Sequence, residues 1–143
     1  MSRIFRFDEG ELSIPEEWVD QSINVLSSGA TDGSAFTFSM SRDQMPWGMS
    51  YDQYVDREVG KLKKTLKDFE PLREITHALA NTKCRVIEYK WAAPQAEIHQ
   101  IMTMVLIKQK ILVITATMPG GMSKEQENGL KTILESLTLN ETS

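Results

Sequence analysis

The stretch LREITHALANTKCRVIEYKWAAPQAEIHQIMTMVLIKQKILVITATM, residues 72–118, decides the fold. It contains four runs, most of them rich in β-branched residues: Leu72–Ala80, Cys84–Trp91, Ile98–Lys108 and Ile111–Met118. They are separated by Asn81-Thr82, a loop at Pro94 and a corner at Gln109-Lys110. Connections this short join antiparallel neighbours. In the third run, alternation puts Ile98, Gln100, Met102, Met104 and Leu106 on one face and His99, Ile101, Thr103, Val105 and Ile107 on the other. Both faces are largely apolar. Either a helix covers each face, or part of one face stays open for an apolar ligand or partner.

Upstream, Arg3–Asp8 and Glu11–Ile14 flank the turn Asp8-Glu9-Gly10, which predicts an opening hairpin ending at Pro15. The segment from Trp18, with Val19 and then Ser22–Leu26, reads as a strand. Gly29–Ser34 is turn material, and Ala35–Ser41 puts Phe36, Phe38 and Met40 on one face, so a second hairpin is expected. Ser50 stands three residues before Gln53, the spacing of a capping box. The helix that starts there carries Tyr51, Tyr54, Val55, Val59, Leu62, Leu66 and Phe69 as its apolar stripe and stops before Pro71. Ser123 and Gln126 repeat the signal after Gly120-Gly121, and Leu130, Ile133, Leu134 and Leu137 mark a terminal helix. The order is β-rich, helix, β-rich, helix: an α+β arrangement.

With 143 residues, the chain is expected to form one domain over 1–143 and to bury a core without staples. Sixteen basic against 20 acidic side chains give a net charge of −4, which offers no footprint for nucleic acid. One cysteine, Cys84, leaves no intramolecular disulfide, and no Cys/His spacing forms a zinc motif. The N-terminus lacks the apolar run of a signal peptide, and Ile101–Ile107 is far short of a bilayer span, so a cytoplasmic protein with no membrane insertion is expected.

Chemistry-bearing residues are few. His77 and His99 have no Ser, Cys or Asp partner at a catalytic spacing, Cys84 reads as a small buried hydrophobe, and Gly120-Gly121 lacks a phosphate-loop motif. No catalytic, cofactor or metal residue is assigned, and the expectation is a non-enzyme. The surplus is apolar. Beyond Met1 there are methionines at 40, 45, 49, 102, 104, 118 and 122, a side chain suited to surfaces that accommodate varied hydrophobic partners. Met45 and Met49 fall in a loop, where a rigid core needs no filler.

Three blocks, LSIPEEWVDQSINVL (12–26), FSMSRD (38–43) and YVDRE (54–58), carry a resemblance to the Eag chaperones of bacterial type VI secretion, which are related to the DcrB-like group. Within that family the chain looks like the Pseudomonas member that accompanies an NAD(P)-degrading toxic effector. The resemblance covers essentially the whole chain. It implies a Mog1/PsbP-like fold, an antiparallel sheet flanked by helices, assembled as a homodimer with an apolar cradle. It also implies a cytoplasmic chaperone and adaptor that binds N-terminal transmembrane helices of an effector and helps load it onto the VgrG spike. The same apolar surface would suit a lipid- or small-hydrophobe-binding module, and a small enzyme is the third class.

Combining period with resemblance, the groove candidates are Ile23, Val25, Met40, Leu62, Leu66, Ile98, Met102 and Met104, with Glu58 and Gln100 as polar groups able to bond a client. Trp18 and Trp91 are assigned to packing, and Arg42-Asp43 to a local ion pair or turn.

Overall fold

Alternation in the long runs is realised as an antiparallel meander. The computed structural model describes residues 1–28 and 36–139. A separate hairpin, β1 (Ser2–Phe7) with β2 (Gly10–Pro15), precedes a six-stranded sheet. That sheet contains β3 (Asn24–Ser27), β4 (Thr37–Gln44), β5 (Glu70–Leu79), β6 (Thr82–Ala92), β7 (Glu97–Ile107) and β8 (Lys110–Pro119), in the order β3-β4-β8-β7-β6-β5. Helix α1 (Tyr51–Thr65) connects β4 to β5, and α2 (Lys124–Glu135) follows β8. All ladders are antiparallel. The four expected strands of residues 72–118 are all present. Ala80 and Asn81 both have positive φ, 51° and 62°, the geometry of the two-residue turn whose twist matches a hairpin.

Both helices begin as their sequences predict. Ser50 accepts from the Gln53 amide while the Gln53 side chain accepts from the Ser50 amide, and Ser123 and Gln126 do the same for α2. Helix α1 ends earlier than expected, at Thr65. Leu66 is its extended C-cap, and Phe69 packs beyond the helix against Tyr89, with ring centroids 5.2 Å apart. The strand expected from Trp18 shrinks to Asn24–Ser27 because the Asp20 carboxylate accepts from both the amide and hydroxyl of Ser22, holding that segment in a local turn. The expected Gly29–Ser34 turn lies outside the described residues.

Each face of the sheet carries its own core. Tyr51, Tyr54 and Val55 of α1 seal Ile87, Tyr89, Met102, Met104 and Ile111. On the other face Leu130 of α2 packs with Leu79, Cys84, Val86, Ile101, Val105, Leu112, Ile114 and Ala116. Met45 and Met49 do serve as core filler, half-buried against the α1 cluster, contrary to the expectation from their loop position. At the free edge, β5 is exposed from Pro71 to Ala78, with a register shift between Pro71 and Arg73 and ion pairs Arg73–Glu88 and Glu74–Arg85. Proline is tolerated there because an edge strand does not need every amide.

Met104 has no exposed surface, so Met104→Ala is expected to cost about 2–5 kcal/mol in urea unfolding, against about 1 kcal/mol for Ser123→Ala, which removes one cap. Equal losses would contradict this arrangement of the core.

Candidate functional site

Strand register defines an open strip beside α1. Reading across the sheet on the α1 side, one row runs Val25, Ser39, Thr115, Met102, Ile87, and the next runs Ser27, Thr37, Thr117, Gln100, Tyr89. Helix α1 covers the β6–β7 end of these rows: Ile87 and Tyr89 are buried, while Ser39, Thr115 and Thr117 are half-exposed and Val25 is 63% exposed. The uncovered strip therefore has a hydroxyl-bearing floor from β4 and β8. Val25 stands on one side, and the half-buried Leu62 and Leu66 of the α1 cluster on the other. Three strands span roughly 10 Å, close to the width of one helix with its side chains.

Polar groups at the end of the strip are fixed. Trp91 Nε1 donates to Gln100 Oε1 at 2.9 Å, and Gln100 Nε2 donates to Thr117 Oγ1 at 2.9 Å, which orients the amide and leaves its second N–H uncommitted by these two bonds. Glu58, half-buried on α1, pairs with Arg57 and Lys61, both at 3.1 Å. Tyr54 Oη donates to Asp43 at 2.8 Å, and Tyr51 Oη donates to the Met104 carbonyl at 2.6 Å, so α1 is bolted to β4 and β7. Burial pushes the Tyr51 hydroxyl up to about 12, so it stays a donor at neutral pH.

Of the ten candidates, the strip brings Val25, Leu62, Leu66, Ile98, Gln100 and Met102 to one side of the sheet, although Met102 is largely covered. Ile23 precedes β3 and is exposed, and Glu58 lies on the helix wall. Two do not join. Met40 pairs with Asn24 and Ile114, one residue out of phase with Ser39, so it faces the α2 cluster with Phe36 and Phe38. Met104 lies beneath α1 with no open surface. Trp18, assigned to packing, is 59% exposed. Arg42 and Asp43 form no mutual pair: alternation sends them to opposite faces, where Arg42 donates to Asn24 Oδ1 and Asp43 accepts from Tyr54. Ser39, Thr115 and Thr117 carry no signal in the sequence, because hydroxyl residues on an alternating strand look like any solvent face until register aligns them.

A family model named DcrB matches residues 9–136. The chain belongs to the DcrB family. This DcrB-family protein is 22% identical over 135 residues to Effector EagT6 of Pseudomonas aeruginosa, covering 94% of each chain, which bears out the Eag-type likeness at the distance of a relative. Its fold superimposes on the crystal structure of PA94, a Pseudomonas aeruginosa protein of unknown function, with TM-score 0.83 and 22% identity over 99% of both chains. Cyanobacterial PsbP from Synechocystis sp. PCC 6803 overlaps more loosely, with TM-score 0.48 and 12% identity, over 88% of this chain and 81% of its own.

Elsewhere in this DcrB-family chain, titratable groups converge behind the sheet. Glu88, His99 and Glu127 bring three potential metal-ligand atoms within 4.8 Å of one another. The geometry disfavours a cation. Nδ1 of His99 accepts the Met122 amide at 2.9 Å, so the ring proton sits on Nε2, 2.7 Å from Glu88, and no nitrogen lone pair faces the carboxylates. Arg73 adds a positive charge 3.2 Å from Glu88. Burial works to raise the Glu88 carboxyl, but hydrogen bonds from Glu127 and His99, with the Arg73 charge, hold it below its ordinary range. Burial and the hydrogen bond to Glu88 raise the Glu127 carboxyl above its ordinary range. Cys84 is fully buried and its thiol is pushed up by that burial, so it presents no nucleophile.

Because its carboxyl is depressed in the fold, Glu88 stabilises the protein above the ordinary glutamate range and loses that contribution as pH falls through its lowered value. Glu88→Gln is expected to be less stable than wild type near neutrality, with the gap closing on acidification. Urea midpoints at about pH 7 and about pH 3 test this, and a gap of constant size would count against it. Cys84 is expected to resist thiol reagents until the chain unfolds.

Proposed function

We propose that this protein is a non-enzymatic chaperone and adaptor for a type VI secretion effector, holding an apolar helix of the effector on the open strip beside α1. The observation that carries the reading is the strip itself: roughly one helix wide, walled by Val25, Leu62 and Leu66, and floored by Ser39, Thr115 and Thr117. Kinship with EagT6 and membership of the DcrB family support an effector-associated role. A transmembrane segment of about 20 apolar residues aggregates in water unless its side chains are covered. Hydroxyls and the Gln100 amide suit such a client, because transmembrane helices often carry small residues and occasional polar groups that an all-aliphatic groove would leave unpaired.

Length argues for two copies. A membrane-spanning helix is about 30 Å long, whereas the open part of β4, Thr37–Ser41, runs only about 17 Å. A homodimer that joins two strips supplies the missing length, and handing the effector to the VgrG spike follows from the family resemblance. Among the described residues no helix is long and apolar enough to cross a membrane, so the apolar helix in this reading is the client's. A second reading, storage of a lipid or small hydrophobe, is favoured by a pocket of about 330 Å³ between the sheet edge and α2, lined by Leu26, Phe36, Phe38, Leu130 and Ile133.

Co-expression with the products of the neighbouring genes, followed by purification, is the test. Wild type is expected to retain the effector's N-terminal segment, and Val25→Asp/Leu66→Asp to lose retention tenfold or more, equivalent to about 1.4 kcal/mol, while circular dichroism stays unchanged. A folded double variant that still protects the segment would place the groove elsewhere. Recovery of lipid with no effector would favour the second reading. Light scattering is expected to give a dimer, and a concentration-independent monomer mass would refute the two-copy cradle.

A further inference from the structure

Five parts of the chain meet at His99. Nδ1 accepts the amide of Met122 in the connection between β8 and α2, and Nε2 donates to Glu88 on β6. Glu88 is also bound by Arg73 of β5 and by Glu127 in the first turn of α2. Lys90 of β6 is directly opposite His99 in the ladder and pairs with Glu97, and Lys124 of α2 faces Glu127. From β8, the residue opposite His99 is the apolar Met118. Both His99 and Glu88 are almost fully buried.

Hydrogen bonding decides what a second proton does. With Nε2 already protonated, the incoming proton can bind only Nδ1, where the Met122 N–H already points, and two hydrogens cannot share that line. Met122 stands immediately before Ser123, the N-cap of α2, and its side chain packs in the α2 cluster. We propose that this cluster is a pH-operated latch on α2: protonation of His99 at Nδ1 expels the Met122 amide and frees the first turn of the helix, while the rest of the sheet holds. The imidazolium stays bound to ionised Glu88, so the change is a local release and not a general unfolding.

NMR of the full chain between about pH 8 and about pH 5 tests the latch, a range in which imidazoles change charge. The Met122 amide shift is expected to titrate with the same midpoint as the His99 ring carbons, with His77→Gln used to assign the two rings. Protection factors of Met122, Gln126 and Glu127, corrected for intrinsic exchange, are expected to fall at least tenfold on acidification, with those of Tyr54–Val59 unchanged. His99→Gln, which has a donor and an acceptor but cannot take the second proton, should abolish the transition, and Glu127→Gln should preserve it. The proposal is overturned if the Met122 amide is unmoved while His99 gains its proton, or if Glu127→Gln removes the transition. The wild-type comparison of midpoints decides the matter even if His99→Gln fails to fold.

Discussion

Five consecutive residues of β7, Ile101 to Val105, are all buried, and a strand can bury consecutive residues only if both sides of its sheet are covered. The rest of the architecture follows from that demand. Because β7 lies inside the sheet, β6 and β8 flank it. Because its two sets of side chains point apart, a helix must lie on each side. The chain meets the demand economically: α1 fills the crossover between β4 and β5, and α2 folds back after β8. Thr103, in the middle of this run, buries its hydroxyl with no hydrogen-bond partner among the described residues, a local cost that its four buried neighbours in the run outweigh.

Two helices cannot cover six strands completely. Helices are about 10 Å across, whereas the sheet extends over five interstrand spacings of about 4.8 Å. Coverage is therefore best over the central strands and fails toward an edge. On the α1 side it fails over β3, β4 and part of β8, and there the sequence places serine and threonine where the centre has isoleucine, tyrosine and methionine. The apolar surface beside that band is where a partner's burial would gain most.

Much of this was readable in residues 72–118, since strand alternation and short connections are local properties. Both capping boxes were equally plain, because each is written within four residues. What escaped was relational. The side on which Met40 lies depends on pairing with β8, which is some 70 positions away in the chain. The depth of Met104 depends on where α1 lands, and the partners of Arg42 and Asp43 depend on alternation across the ladder and not on their adjacency. Met45 and Met49 looked like loop residues because a loop that folds under a helix has no periodicity to announce it. The Glu88–His99–Glu127 cluster drew residues from three elements with no common spacing, so no motif could signal it.

The exposed edge at β5 bears on a different matter, the protein's own solubility. Ten residues of strand with an open row of amides and carbonyls would recruit any other unpaired strand, including another β5. Pro71 interrupts the row, the shifted register twists its beginning away, and Arg73 and Glu74 place opposite charges on the two faces just beyond it. In the proposed role, where the client is an apolar segment that aggregates when uncovered, such an edge has a particular use, since any affinity for strands would turn each carrier into a seed for aggregates.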